Sequence, residues 1–126
     1  MFNWFKKKKP PVTGRLQTDI HSHLLPGLDD GVKTMDEAEE IILRFQSLGY
    51  TKLITTPHVI SDSYKNTTAG IQQRLTDLRE HLTQKNINIT IDAAAEYYLD
   101  EQLLEKLDNE PLLTFGSKYL LFETNF

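Results

Sequence analysis

Cysteine is absent from the 126 residues. That excludes a disulfide framework, a thiolate zinc site, an iron–sulfur cluster and a cysteine nucleophile within this chain. Long apolar runs are absent as well. None approaches the ~18–20 residues that cross a bilayer, and the N-terminus lacks the apolar stretch of a secretory signal. A cytoplasmic location is the reading these absences leave. Acidic side chains are missing from the first sixteen positions, which hold Lys6, Lys7, Lys8, Lys9 and Arg15. No internal repeat or low-complexity tract stands out beyond that lysine run.

The overall charge of -4 therefore hides an asymmetry. Of 14 basic residues 5 lie in the first sixteen, so the remaining 110 residues carry 9 basic and 18 acidic side chains, a charge of -9. An acidic body repels phosphate backbones and argues against a nucleic-acid partner. A surplus of carboxylates is instead what a cation site draws on. Residues 1–15 read as a basic, flexible leader ending beyond two prolines. A second reading stands beside it: MFNWF with KKKKPP makes residues 1–9 a peripheral contact for an anionic membrane, near its inner face. With 39% hydrophobic and 25% charged residues, the rest (16–126) suits one soluble domain with a sizeable core.

From Leu16 onward, apolar β-type runs alternate with helical patterns. Leu16 to Ile20 forms the first run and leads into His-Ser-His. Thr34 and Glu37 read as a capping box, followed at helical spacing by Met35, Ala38, Ile41, Ile42, Phe45 and Leu48, with Gly49 as the stop. Lys52 to Thr56 is the second β run, ended by Pro57-His58. Ile71, Leu75, Leu78 and Leu82 mark one face of a second helix. Ile87, Ile89 and Ile91 alternate as a third strand, before Ala93-Ala94-Ala95 and Glu96. Asp100 caps a third helix carrying Leu103, Leu104 and Leu107. Lys118 to Phe122 is the fourth run, ending in Glu123. The order β-α-β-α-β-α-β implies an α/β fold with parallel strands joined by helical crossovers, either an open sheet or part of a (β/α) barrel.

One regularity singles out a site. His21 and His23 follow the first run, His58 the second, Glu96 the third and Glu123 the fourth. In parallel α/β folds the C-terminal strand ends converge on the face where ligands bind. Residues i and i+2 of an extended segment point the same way, so His21 and His23 can grip one cation. Taken singly each has a plainer explanation: a surface histidine pair, a loop histidine after proline, a solvated carboxylate. The joint placement of all five points to a divalent metal centre of mixed imidazole and carboxylate donors. His81, mid-helix beside Glu80, reads as a solvated residue.

The stretch Asp19-Ile20-His21-Ser22-His23-Leu24-Leu25-Pro26-Gly27-Leu28-Asp29-Asp30-Gly31 resembles the opening motif of the PHP (polymerase and histidinol phosphatase) superfamily. Within it, the chain looks most like the bacterial metal-dependent protein-tyrosine phosphatases encoded with capsular and exopolysaccharide genes. Thr55-Thr56-Pro57-His58, Ala95-Glu96-Tyr97-Tyr98 and Leu121-Phe122-Glu123 resemble the family's next ligand-bearing segments, in order. The likeness covers residues 17–126.

That resemblance implies the N-terminal half of a distorted (β/α) PHP barrel with up to three divalent ions, manganese foremost and iron, cobalt or zinc as alternatives. His21 and His23 would bind one ion, Glu96 would bridge two, and His58 and Glu123 would hold the others. One of Asp29 and Asp30 would ligate a metal or orient a metal-bound water, with a plain Asp-Asp-Gly turn as the other reading. Asp19 would support His21 from behind, or serve only the strand edge. No catalytic residue beyond the metal ligands is implied. The implied substrate is a phosphotyrosine protein, a membrane-associated tyrosine kinase of polysaccharide biosynthesis. Two alternatives stay open: a phosphomonoesterase resembling histidinol phosphatase, and a non-catalytic metal-binding or interaction fragment. Family members run about as long again, toward the ~250 residues of a whole barrel, and their second half adds further ligands and phosphate-binding bases. No histidine follows His81 here, so the expectation is a partial domain cut after the fourth strand.

Overall fold

The computed structural model describes residues 16–125. The leader of residues 1–15 and its membrane contact lie outside the described residues. The elements run β1 (Thr18–Asp19), α1 (Met35–Ser47), β2 (Lys52–Thr55), β3 (His58–Val59), α2 (Thr68–Gln84), β4 (Thr90–Ala93), β5 (Glu96–Tyr98), α3 (Glu101–Asn109) and β6 (Leu121–Glu123). All ladder pairings between these strands are parallel, as the alternation with helices implied.

The expected four strands are six. They form two three-stranded sheets, ordered β1-β2-β4 and β3-β5-β6. After the second and third runs a new strand starts within two residues, beyond Thr56-Pro57 and beyond Ala94-Ala95. Proline has no N–H to give a ladder, and Pro57 is fully buried where the break occurs. The two breaks lie side by side, because Thr55 pairs with Ala93 and His58 with Glu96. Hydrogen bonds carry the backbone across the step: Thr56 N–H to the Ser22 carbonyl at 2.7 Å, Ala94 N–H to Thr55 at 2.9 Å, Glu96 N–H to Pro57 at 3.0 Å. The result is one stepped sheet with a lower and an upper tier. The fourth run enters only the upper tier, as β6. The expectation that the Ile87–Ile91 alternation is a strand also needs correction, since Ile87 and Ile89 precede β4 and pack against the core as irregular chain.

The helices follow their sequence signals closely. Thr34 caps α1, its Oγ1 accepting the Glu37 N–H at 3.2 Å. The return arm of the capping box is displaced by one residue, for Glu37 Oε2 takes the N–H of Lys33 at 2.6 Å. At the other end Gly49 adopts φ 99°, a conformation glycine reaches without strain. Its N–H meets the Gln46 carbonyl and that of Tyr50 meets Phe45, a Schellman closure sealed by the edge-on Phe45–Tyr50 ring contact at 5.1 Å. Thr67 and Asp100 cap α2 and α3 in the same way, accepting from Gly70 and Leu103.

The core is one cluster, in which Ile42 of α1, the α2 stripe Ile71, Leu75, Leu78 and Leu82, and Leu53 and Ile91 of the lower tier are all buried. On α3 only Leu103 is buried, whereas Leu104 and Leu107 are 56% and 53% exposed. His81 is not solvated as the sequence suggested. Its Nε2 lies 2.7 Å from Glu39 Oε2, and this bond ties α2 to α1. Because Leu78 is fully buried where α2 meets the sheet, Leu78→Ala is expected to cost about 2–5 kcal/mol, measurable as a lowered urea midpoint with unchanged slope.

Candidate metal centre

The site forms at the step of the sheet. His21 and His23 lie on the extended segment just after β1, His58 opens β3, Glu96 opens β5 beside it, and Glu123 closes β6 opposite Tyr98. His58 and Glu96 therefore start upper strands, where the sequence reading had them follow lower ones. The displacement does not scatter the group. Three sets of donor atoms come within 4.8 Å of one another: His21, His23 and Glu96; His58, Glu96 and Glu123; His23, Asp30 and His58. Glu96, which is buried, belongs to two sets, and its Oε2 lies 3.4 Å from His23 Nε2, 3.9 Å from His21 Nε2 and 3.3 Å from His58 Nδ1.

Asp29 and Asp30 part company. Asp29 is buried, with only 6% of its surface exposed, and acts as a hub. Its Oδ2 accepts from His23 Nδ1 at 2.7 Å and from the His58 N–H at 2.9 Å, while Oδ1 accepts from the Gly31 N–H at 2.9 Å. Asp30 is exposed, and its Oδ1 stands 3.5 Å from His58 Nε2. Asp19 lies half-buried beneath the site; its Oδ2 has no hydrogen-bond partner, and burial pushes its carboxyl above the ordinary range. Burial pushes Asp29 up as well, but the bonds from His23, Gly31 and His58 outweigh it and hold the carboxyl below 3.8. The same bond from Asp29 holds the His23 ring above 6.5, against the opposing effect of burial.

Residues that the sequence reading did not single out complete the frame. Thr55 and Thr56 are fully buried. Thr55 Oγ1 accepts from the Leu24 N–H at 2.9 Å and donates to the Ser22 carbonyl at 3.0 Å, binding the His-Ser-His segment to β2 on both sides. Thr56 Oγ1 lies 2.7 Å from His21 Nδ1. Asn66 Nδ2 donates to the carbonyls of Leu28 and His58 at 2.9 and 2.8 Å, clamping the Asp29 loop to β3. The Tyr64 ring stacks on His58 at 5.6 Å. Only the motif Thr-Thr-Pro-His signalled any of these in advance.

His58 Nδ1 tests whether the donors suit a cation. It is buried and makes no hydrogen bond, although Glu123 Oε1 stands at 3.0 Å and Glu96 Oε2 at 3.3 Å. Buried polar atoms normally find partners. Here two carboxylates and an imidazole nitrogen converge without the alignment of a hydrogen bond, as donors sharing one ion would. Imidazole nitrogen with carboxylate oxygen suits Mn, Fe, Co or Zn. The residues present fit a divalent ion.

Residues 17–126 match the family described as "Capsular polysaccharide synthesis, CpsB/CapC". The chain is 30% identical over 106 residues to CapC of Staphylococcus aureus, covering 83% of this chain and 42% of that protein. It is 28% identical over 109 residues to the tyrosine-protein phosphatase YwqE of Bacillus subtilis, covering 86% and 43%. Among solved structures it is similar to one from the pair YwqE of B. subtilis and CpsB of Streptococcus pneumoniae, described as metal-dependent tyrosine phosphatases. That likeness has a TM-score of 0.78 at 27% identity and covers 86% of this chain and 44% of the other. The chain thus spans less than half the length of the relatives it matches.

Two outcomes are expected from the hub. His23 contributes stability that is complete below pH 6.5 and is lost as the pH rises through its elevated folded value; Asp29 contributes stability complete above pH 3.8 and lost as the pH falls through its depressed one. In metal-free protein the urea midpoint should therefore be higher at about pH 5.5 than at about pH 8, and Asp29→Asn should flatten that difference. Gly31 packs so closely that a Cβ there would collide with the His23 carbonyl and come within 2.5 Å of the His23 Cβ. Gly31→Ala is expected to cost about 1–3 kcal/mol and to shift the His23 ring resonances in NMR spectra.

Proposed function

This chain belongs to the CpsB/CapC family of capsular polysaccharide synthesis, and from that premise we propose that it carries the cation-binding part of a metal-dependent phosphotyrosine-protein phosphatase. The observation that supports this reading most is that His21, His23 and Glu96, and His58, Glu96 and Glu123, form two donor sets sharing Glu96, the second around a buried His58 Nδ1 with no hydrogen-bond partner. In the proposed assignment His21, His23 and Glu96 hold one ion, and His58, Glu96 and Glu123 hold a second, so that Glu96 bridges. His23, His58 and the exposed Asp30 offer a third position. Asp29 orients His23 and ligates nothing, since its oxygens are already engaged. Manganese is the proposed metal and the PHP superfamily the proposed wider kinship.

This chain supplies no thiol, so the phosphocysteine route is closed to it. Divalent ions, when bound at such a site, supply hydroxide near neutral pH and Lewis acidity toward phosphate oxygens. The protein's part is positioning. Asp29 holds His23, the paired threonines hold the segment that carries His21, and Asn66 keeps the Asp29 loop against β3. Tyr64 shields one face of His58. The substrate proposed for the whole protein is a tyrosine-phosphorylated membrane-associated kinase of polysaccharide biosynthesis, met in the cytoplasm.

One observation favours a second reading for these 126 residues taken alone, that of a metal-binding module without turnover. They span 42–44% of the relatives they match. Moreover Arg44 pairs with Glu40, and Arg79 with Asp92 and the Ile91 carbonyl. The test is a titration of the chain with Mn²⁺ by calorimetry, followed by assay on a phosphotyrosine peptide. Saturable binding, weakened at least tenfold in Glu96→Ala, is the expected result, with no turnover by the chain alone. Absence of binding would overturn the metal reading. Metal-dependent turnover lost in Glu96→Ala would overturn the second reading and establish that these ligands suffice.

A further inference from the structure

The two histidines of the His-Ser-His segment are each held at Nδ1 and each turn Nε2 toward Glu96 Oε2. For His23 the partner is a carboxylate, which can only accept, so the ring proton sits on Nδ1. For His21 the partner is a hydroxyl, Thr56 Oγ1 at 2.7 Å, which can accept or donate. The direction of that bond decides which nitrogen of His21 keeps its lone pair.

The surroundings favour one direction. Were Nε2 protonated, Glu96 Oε2 at 3.9 Å would be beyond hydrogen-bond reach, and the proton of this half-exposed ring would be left to solvent rather than to a partner in the site. With the proton on Nδ1, the ring donates to Thr56 at 2.7 Å, and the threonine's own proton has an outlet in the Ser22 carbonyl at 3.4 Å. Thr56 is fully buried and its own N–H is bonded to that same carbonyl at 2.7 Å, so the position of Oγ1 is fixed beside the ring.

We propose that Thr56 is a positioning residue that sets the tautomer of His21: its Oγ1 accepts the Nδ1 proton and leaves Nε2 as an electron-pair donor beside Glu96. Resting on the metal-centre reading above, this makes His21, His23 and Glu96 a preorganised seat in which neither ring must exchange tautomers before a cation is bound. A carboxylate fixes one histidine and a buried threonine the other.

The test uses the whole ¹⁵N-labelled chain without metal, at a pH where the rings are neutral. The imidazole nitrogen shifts of His21 are expected to report the proton on Nδ1. Thr56→Val, which keeps the shape of the side chain and removes the hydroxyl, should move His21 toward the Nε2-protonated form while His23 keeps its tautomer. Thr56→Ser should restore the original pattern. Mn²⁺ affinity, measured in parallel, should fall about tenfold in the valine variant and stay near the parent value in the serine variant. A parent His21 protonated on Nε2, or a tautomer unchanged by Thr56→Val, overturns the proposal. Should the parent chain bind no Mn²⁺ while the tautomers behave as expected, the metal reading falls and the role of Thr56 stands.

Discussion

The buried carboxylate of Asp29 is the constraint on which the site depends. A charged oxygen pair away from water is costly unless every lone pair is answered, and Asp29 is answered from three directions by His23, Gly31 and the backbone of His58. Those donors come from three places in the chain. Satisfying one side chain thus fixes the ring of His23, the turn at Gly31 and the start of β3 relative to each other. Gly31 has to be glycine because this closure brings its backbone against that of His23. Asn66 then closes the loop from the far side, its amide spanning the Leu28 and His58 carbonyls.

The step in the sheet places the remaining donors. In an unbroken parallel strand, His58 would continue the run of Lys52–Thr55, and its side chain would be committed to the alternation of that strand. Pro57 interrupts the ladder, and β3 starts afresh in register with β5, so that His58 and Glu96 face each other directly. Because the break at Ala94-Ala95 occurs at the same level, both lanes shift together and the histidine–glutamate pairing survives. Alanine suits the second break for a steric reason: Ala94 and Ala95 are fully buried, where a larger side chain would have to displace the core beneath the site.

Much of this was legible in the sequence, and the failures have physical causes. Helices α1 and α3 followed from capping residues and apolar spacing, and α2 from its apolar spacing alone, because those signals are local. The five candidate ligands were legible from their placement after apolar runs. What periodicity could not show was the breaks, since alternation of apolar residues looks the same in a continuous strand and in one that restarts two residues later. It also misjudged His81, for nothing local to α2 reveals that Glu39 of α1 lies within a hydrogen bond of it. Asp29 and Asp30 are chemically identical neighbours, and only the fold separates the buried hub from the exposed carboxylate. Thr56 escaped notice for the same reason: a threonine at a strand end is ordinary, and its partner is 35 residues away.

The distribution of these supports bears on what the chain can do. The side-chain hydrogen bonds that hold His21, His23 and His58 run between residues 21 and 66, while the ladder with β5 sets His58 opposite Glu96. Only Glu96 and Glu123 come from further along, and both enter through β5 and β6, which pair with each other. The candidate donors are therefore held by contacts contained in the described residues. Phosphate binding asks for something else, uncommitted cations close to the ions, and the arginines at 44 and 79 are tied to acids elsewhere. The two tasks separate along the chain. The candidate cation site is framed by contacts within these residues, whereas Arg44 and Arg79 each already pair with an acid.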